Sequence, residues 1–226
     1  MNEVPTKTIT AINEPIKPYG PGSSEKESIK QEIERLKSTQ IEIPIIIGGE
    51  EIKTGNTTTC VMPHNHNHVL ATYHQASEKE IQMAIESCLK AQKDWANTNL
   101  DERCEIFQKM AELLQNEYRD TINASTMLGQ SKNIFQAEID SACELIDFFN
   151  FNCQYAQEIY ANQPCISPEG FKNHLEYRPL EGFVFAVTPF NFTSIAANLP
   201  SAPALMGNVS IWKPASSSVY SGHFLM

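Results

Sequence analysis

Two apolar segments near the carboxyl end of the sequence are each followed by residues that could bind a ligand. Residues 182–187 form an unbroken apolar run that leads into the loop 188–192, and the β-prone run 208–212 leads into Lys213. In an open parallel sheet, ligands bind outside the carboxyl ends of the strands, so both segments are candidates for a nucleotide-binding edge. No Gly-x-Gly-x-x-Gly motif follows the first run, so the residues alone give only weak support for a dinucleotide site.

Two other groups of residues have types that bind metals or attack carbonyl groups. His64, His66 and His68 alternate, and alternation in a strand would place three imidazoles on one face, an arrangement that can hold a metal. The six cysteines include no Cys-x-x-Cys pair, and neither Cys153 nor Cys165 has a local signature of a nucleophile. We expect ordinary buried thiols in a reducing compartment.

The composition restricts the classes of partner. With 17 Lys and Arg against 27 Asp and Glu, the net charge of −10 repels nucleic-acid phosphates and anionic membranes, so we predict no nucleic-acid and no membrane partner. No apolar run approaches the roughly 18 residues that a membrane-spanning helix requires. Arg is absent before Arg35 and no secretory apolar region is present, so the start of the sequence does not predict a transit peptide.

The first 76 residues predict an arm followed by short strands. Residues 1–40 are rich in proline and glycine up to a charged helical stretch over residues 25–37, which predicts an extended arm and a short helix lying across a neighbouring molecule. In residues 41–76, two β-prone stretches flank Gly48-Gly49, which is the pattern of a β-hairpin.

Residues 77–163 predict a layer of four helices. Ser77 and Glu80 form a capping box at the start of the first helix. The second is predicted to be capped by Asp101, the third to end near Gly129 in a left-handed cap, and the long fourth to begin near Asn133. The residues predicted to face the core in the first, second and fourth helices are Ile81, Ala84, Ile85, Cys88, Ala91, Trp95; Cys104, Phe107, Met110, Ala111, Leu114, Tyr118; and Phe135, Ile139, Ala142, Leu145, Ile146, Phe149, Ala156.

The remaining residues predict a bridging strand and a β-α-β unit, so the fold class is α/β. Residues 174–178 alternate as a strand candidate within a bridging segment, residues 164–180. The two runs that open this section flank an Ala- and Leu-rich stretch, residues 193–206, which predicts strand, helix and strand. Pro200 and Pro203 predict that this helix is short and that a kinked stretch follows it.

Four segments carry a resemblance to a known family. EGFVFAVTPFNFT (residues 181–193) and APALMGNVSIWKPAS (residues 202–216) resemble the aldehyde dehydrogenases, and TMLGQSKNIFQAEIDSACELIDFFNFN (residues 126–152) and LEYRPLEGF (residues 175–183) resemble their Δ1-pyrroline-5-carboxylate dehydrogenase branch. The likeness covers roughly residues 41–216. It implies the amino-terminal part of the aldehyde dehydrogenase fold: a helical layer plus an incomplete, Rossmann-like NAD-binding domain that starts in residues 181–226. The family also has a Pro-His opening near His64, so we predict no metal.

The resemblance implies roles for two residues of the loop 188–192. Asn191 would donate its side-chain amide to the aldehyde oxygen that becomes negative when a catalytic thiolate attacks, a contact worth about 3 kcal/mol. Without the resemblance it would be an Asn in a turn or a helix cap. Phe192 would line the aldehyde tunnel, with packing in the core as the alternative.

Three further residues would contact NAD by the same resemblance. Lys213 would bind the adenosine ribose hydroxyls, against the alternative of a solvated surface lysine. Thr188 would contact the nicotinamide half, against a simple strand-end hydroxyl, and Trp212 supports the site weakly because a core Trp is as common. Glu138 would lie near the tunnel mouth, but a lone helical Glu is more often solvated, and we assign it no catalytic role.

The resemblance also implies an activity whose central residues would follow Ser216. The family oxidises L-glutamate γ-semialdehyde, the open form of Δ1-pyrroline-5-carboxylate, to glutamate with NAD in proline breakdown. The nucleophilic Cys and general-base Glu are not found, and residues 219–226 depart from the expected next helix, so we expect a truncated chain that is inactive alone. The alternatives are a non-catalytic partner that forms homo- or hetero-oligomers with a full-length relative, and a degenerate gene product. The family implies the mitochondrial matrix, with the cytoplasm as the alternative.

Overall fold

The structure, a computed structural model, describes residues 8–226, so the first residues of the predicted arm lie outside the described part. The helices are α1 (Ser24–Lys37), α2 (Glu78–Asn97), α3 (Leu100–Asn116), α4 (Arg119–Gln130), α5 (Ile134–Ala137), α6 (Leu145–Ala161), α7 (Thr193–Leu205) and α8 (Val219–His223). The strands are β1 (Ile41–Ile43), β2 (Ile45–Ile47), β3 (Glu50–Ile52), β4 (Thr57–Met62), β5 (Asn65–His74), β6 (Val184–Val187) and β7 (Ser210–Lys213). Within residues 8–226, no helix is both long enough and apolar enough to span a membrane.

The predicted hairpin around the glycine pair is confirmed. β2 and β3 pair antiparallel, and Gly48 and Gly49 have φ of +61° and +86°, which is the left-handed backbone that a two-residue hairpin turn needs. A second hairpin joins β4 and β5, and β1 pairs parallel with β5 to complete a three-stranded sheet. Residues 41–76 are therefore rich in β-structure, as predicted.

The helical layer is confirmed, and its core lies between α3 and α6. The predicted stripes of these two helices meet there, with the rings of Phe107 and Phe149 at 5.7 Å between centroids. The capping box of Ser77 and Glu80 is present, and Asn133 forms a second capping box with Gln136. Burial of these stripes, at about 25 cal/mol per Å² of apolar surface, holds the layer together.

Two predicted helix caps are wrong. The cap of α3 is Asn99, whose side chain accepts a hydrogen bond from the main chain of Glu102, so Asp101 lies inside the helix. α4 ends at Gln130, near Gly129 as predicted, but its left-handed cap is Ser131, with a φ of +56°. Gly129 is a buried helical residue, and a Cβ there would lie at an ordinary contact distance of 3.5 Å from the Tyr220 side chain.

Fewer apolar helix residues face the core than the sequence predicts. Ile81, Tyr118 and Phe135 are exposed, and Ala91 is exposed as well. No apolar residue of α2 is fully buried, because this helix contacts the rest of the chain mainly through β2 and β7. One face of α2 is therefore only half covered.

A π-helical segment, Glu138–Glu144, connects α5 to α6 without a break. π turns are rare, and they occur frequently at functional sites. The π segment carries two buried carboxylates, Glu138 and Asp140, whose contacts are described below.

Residues 8–22 of the arm pack on the chain's own helical layer, and the contact of the arm with a neighbouring molecule stays a prediction. Main-chain N–H groups of the arm donate at 2.7–2.8 Å to side chains of the π segment and α6. These pairs are Ile9 to Gln157, Ala11 to Gln154, Glu14 to Asp147 and Lys17 to Glu138.

The β-α-β unit is confirmed, and three details of residues 164–226 differ from the prediction. α7 runs as one helix through Pro200 and Pro203, where a short helix and a kinked stretch were predicted. No strand forms within residues 164–180, because the predicted strand has no pairing partner among the described residues. Residues 219–226 do contain a helix, α8, on which Tyr220 is fully buried against α4, so the expected departure from helix is wrong.

Candidate functional site

The carboxyl ends of β6 and β7 lie side by side. Val187 is paired with Lys213 in the parallel register, and the main-chain N–H of Thr188 donates to the carbonyl of Lys213 at 3.2 Å. The loop 188–192 leaves this edge and leads into α7. Parallel pairing thus brings the two candidate ligand-binding segments together, as the sequence predicts.

The side chains at this edge divide into two sets. Asn191, Phe192 and Lys213 are exposed. Thr188 is buried, and its hydroxyl accepts a hydrogen bond from the indole N–H of Trp212 at 2.9 Å. The edge therefore offers an amide, a ring and an ammonium group to a ligand, on a base stiffened by the Trp212–Thr188 bond.

A carboxylate from the π segment caps the start of α7. Phe192, at the N-cap position, has no side chain that can cap, and the Asp140 carboxylate takes that place. It accepts from the main-chain N–H of Thr193 at 3.0 Å and of Ser194 at 3.1 Å, and from the Ser194 hydroxyl at 2.8 Å. A negative charge at a helix N-terminus satisfies free N–H groups and interacts favourably with the helix dipole.

Lys132 joins this cap to the loop. Its ammonium group donates to Asp140 Oδ2 at 2.6 Å and to the main-chain carbonyl of Asn191 at 2.6 Å. The same Nζ lies 4.5 Å from the centroid of the Phe192 ring, which is a cation–π distance. One lysine thus contacts both candidate residues of the loop.

A buried hydroxyl cluster supports the first turn of α7 from below. The Thr193 hydroxyl lies 2.8 Å from that of Thr126 and accepts from the Gln130 side chain at 2.7 Å. Gln130 also donates to the Ser221 hydroxyl at 3.2 Å, so α4, α7 and α8 meet at this point.

The other end of α7 is held by Arg103. This guanidinium is 1% exposed and donates to the carbonyl of Leu205, the last residue of α7, at 2.7 Å, as well as to the carbonyl of Thr98. Gly207 follows with φ +85°, and a Cβ there would lie 2.8 Å from Pro179 and 3.4 Å from the Arg103 guanidinium.

Glu138 is buried, and the expectation of a solvated residue is wrong. It is fully enclosed and accepts from the Arg119 guanidinium, from the Tyr19 hydroxyl at 2.9 Å and from the Asn123 side chain at 2.8 Å. Burial opposes the charged form, but these donors outweigh it and lower the pKa of the Glu138 carboxyl. Arg119 also binds Glu14, so the cluster fastens the arm to the helical layer.

Four of the six thiols have a raised pKa, whereas the hydrogen bond with Cys153 lowers the pKa of the buried Cys104. Burial raises the pKa of Cys60 and Cys88, and it raises the pKa of Cys143 to about 12, with the charge of Glu138 adding to the effect. The pKa of Cys153 is raised by its hydrogen bond with Cys104 and by burial. A thiol with a raised pKa carries little thiolate at neutral pH.

The histidines do not share one strand face. His64 lies in the turn before β5, where its Nδ1 pairs with the Ser131 hydroxyl at 2.8 Å, while His66 and His68 lie on β5. Among the described residues, no three His, Cys, Asp or Glu side chains group closely enough to hold a metal ion.

The sequence interpretation missed Asp140, Lys132 and Arg103. The sequence did contain a signal for Asp140. The start of α7, FNFTS, places an aromatic residue at the N-cap, so the first main-chain N–H groups of the helix need a hydrogen-bond acceptor from elsewhere in the chain. Lys132 and Arg103 act across 59 and 102 residues of sequence, and spacing along the chain carries no signal for such contacts.

Comparisons with known proteins give one consistent answer. A family model described as "Aldehyde dehydrogenase family" matches residues 51–226. The mitochondrial Δ1-pyrroline-5-carboxylate dehydrogenase of Dictyostelium discoideum is 47% identical over 212 residues, which are 94% of this chain and 38% of the relative. The mitochondrial enzyme of that name from Homo sapiens is 42% identical over 218 residues, with coverage of 96% and 38%.

Solved structures of proteins named as pyrroline-5-carboxylate dehydrogenases also resemble this chain. The Δ-pyrroline-5-carboxylate dehydrogenase of Mycobacterium tuberculosis bound with NAD superposes with a TM-score of 0.95 at 44% identity, over 100% of this chain and 42% of that one. The chain thus spans well under half the length of the relatives that it matches.

Proposed function

Because the chain belongs to the aldehyde dehydrogenase family and carries the amino-terminal part of its fold, we propose that it serves the NAD-dependent oxidation of L-glutamate γ-semialdehyde to glutamate in proline breakdown. The identity of 40–47% to proteins named Δ1-pyrroline-5-carboxylate dehydrogenase supports this substrate class. The observation that carries the proposal is the exposed Asn191 on a loop fixed by Asp140 and Lys132. This loop follows β6, whose last residue, Val187, is paired with the exposed Lys213.

Asn191 is proposed to stabilise the oxyanion. Its side-chain amide can donate a hydrogen bond to an aldehyde oxygen as negative charge develops there, and a donor fixed in advance needs no reorganisation during the reaction. Phe192, beside it, is proposed to line the aldehyde tunnel, where an apolar ring excludes water from the carbonyl group.

The strand edge is proposed to bind NAD, which accepts a hydride when it is bound. Lys213 is exposed at the end of β7, where its ammonium group can donate to ribose hydroxyls. Thr188 is proposed to contact the nicotinamide half, since a hydroxyl that accepts from Trp212 still has its own hydrogen to donate. Trp212 is proposed to form the wall behind this contact. These donors fit a cofactor rich in hydroxyl and amide oxygens.

We propose the mitochondrial matrix as the compartment, because the Dictyostelium and human relatives are named as mitochondrial. The cytoplasm is the alternative.

A second candidate function is a non-catalytic partner of a full-length dehydrogenase. It is supported by Phe183, Phe185 and Val187, which alternate on one face of the β6 segment and are at least 36% exposed.

The test is NADH formation from Δ1-pyrroline-5-carboxylate and NAD by a chimaera in which this chain replaces the matching amino-terminal part of a full-length relative. We expect turnover, and we expect Asn191→Ala to lower kcat by about 100-fold to 1000-fold. Lys109→Ala, an exposed change on α3, is the control. Turnover that is insensitive to Asn191→Ala would contradict the oxyanion role, and activity on unrelated aldehydes but not on this one would contradict the substrate class.

A further inference from the structure

Three successive residues are held by one Lys–Asp pair. Lys132 binds the carbonyl of Asn191 and lies over the ring of Phe192, while its partner Asp140 binds the N–H of Thr193. We propose that Lys132 is a positioning residue that fixes the main chain of the loop 188–192 and thereby orients the Asn191 side chain. This inference rests on the oxyanion role proposed for Asn191.

The contact acts on orientation because it is made to the main chain. A hydrogen bond to the Asn191 carbonyl fixes the peptide plane that follows its Cα, and the cation–π contact fixes the next side chain. With the plane on one side of the Cα held, the direction of the Asn191 side chain is limited to a few rotamers. An amide that must meet a developing charge at about 3 Å needs this restriction.

Lysine suits this position chemically. An ammonium group has three donors, and two of them are used here, on a carboxylate and on a carbonyl oxygen. The Asp140 side chain is 3% exposed and the Lys132 side chain 16%, so solvent screens the pair less than it screens a surface ion pair. Methionine would leave the buried carboxylate without its cation and the carbonyl without this donor.

The base of the lysine is rigid as well. Lys132 lies between Ser131, which ends α4, and Asn133, which caps α5. Both neighbours have fixed backbone conformations, so the long side chain extends from an anchored Cα. The junction between the two helices is thus placed to support the loop.

The test is ¹⁵N relaxation of the purified 226-residue protein, which needs neither aldehyde nor NAD. We expect order parameters near 0.85 for the main-chain amides of Asn191 and Phe192 in the wild type, and below about 0.6 in Lys132→Met. Lys132→Arg keeps the charge and donors and should restore most of the order. Lys109→Met, which removes an exposed lysine paired with Glu112 at 2.8 Å, should change neither amide.

Two outcomes would overturn the proposal: mobile loop amides in the wild type, or unchanged order in Lys132→Met. If Lys132→Met does not fold, Lys132→Gln, which keeps amide donors without the charge, takes its place with the same criterion. The order parameters of the α3 amides serve as the control for the stability of the whole fold. If they fall as much as those of the loop, Lys132 has a merely structural role, which would also contradict the proposal. A lack of NADH formation would count against the proposed function and leave this result unchanged.

Discussion

Asp140 and Arg103 bind the opposite ends of one helix, α7. The carboxylate accepts hydrogen bonds from the main chain at its N-terminus, and the guanidinium donates to the carbonyl of Leu205 at its C-terminus. Each charge has the sign that the helix dipole favours at that end. Fixed at both ends, α7 keeps a helical path through two prolines that each remove a main-chain donor.

Replacing Asp140 should therefore destabilise the protein. Asp140→Ala removes the cap from Thr193 and Ser194 and leaves Lys132 without its anion, so we expect a loss of about 2 kcal/mol in the free energy of unfolding. Denaturant titration measures it. Glu112→Ala, which breaks an exposed ion pair on α3, should cost less than about 0.5 kcal/mol. Equal losses in the two variants would show that Asp140 does not cap α7.

A comparison of two glycines should separate backbone strain from crowding. Gly207 and Gly49 have nearly the same φ, +85° and +86°, but only at Gly207 would a Cβ meet other atoms, with Pro179 at 2.8 Å. Gly49→Ala should cost about 1 kcal/mol from the left-handed conformation alone. Gly207→Ala should cost at least about 1 kcal/mol more, because a proline ring cannot move aside freely. Thermal unfolding of both variants gives the difference, and similar costs would contradict the crowding.

Acid should release the arm. The pKa of Glu138 is lowered, because hydrogen bonds from Arg119 and other donors outweigh the effect of burial. A carboxyl whose pKa is lowered on folding stabilises the fold above its ordinary value of 4.5 and loses that contribution as the pH falls through the lowered value. We expect the free energy of unfolding to fall with pH below about 4.5, and less steeply in Glu138→Gln. An identical slope in both proteins would contradict this.

Much of the fold follows from local patterns. Gly48-Gly49 predicts its hairpin because two successive left-handed residues are needed there, and Ser77 with Glu80 predicts the start of α2 because both partners of the box lie within one turn. The strand-helix-strand order after residue 181 follows from apolar runs. These signals are short in sequence, so one sequence is enough to read them.

The site is predicted less completely. Asn191 and Lys213 are brought to one edge as expected, because parallel strands align their carboxyl ends. The buried state of Glu138 was not predictable, since it depends on Tyr19 and Arg119, which lie 119 and 19 residues away along the chain. A charged residue on a helix looks solvated until the fold supplies its partners.

The 226-residue polypeptide alone should show no dehydrogenase turnover. An oxyanion donor lowers a barrier only when a nucleophile attacks, and four of the six cysteines have a raised pKa. NADH absorbance with Δ1-pyrroline-5-carboxylate and NAD measures it, with a full-length relative as the positive control. NADH formation that disappears in Asn191→Ala would contradict this prediction and would mean that a cysteine of this chain attacks the aldehyde.

The exposed face of the β6 segment should cause association. Phe185 is 59% exposed between Phe183 and Val187, and a contiguous apolar face of this kind favours contact with another surface. We expect sedimentation to show self-association at micromolar concentration, and Phe185→Ser to weaken it about tenfold or more. Phe171→Ser, which removes a ring that is 73% exposed and lies outside this face, is the control. A monomeric wild type would contradict the prediction.

The π segment makes this part of the chain intolerant of insertions and deletions. Glu138 at its start is directed to the arm, while Asp140 is directed to α7, and the widened turn between α5 and α6 sets the angle between them. Deleting one residue would convert the segment to a regular α-helix and rotate one side relative to the other by about 100°, the turn per residue of an α-helix. Either the arm would lose its carboxylate or α7 would lose its cap. Homologous sequences should therefore vary in residue type across this segment far more readily than in length.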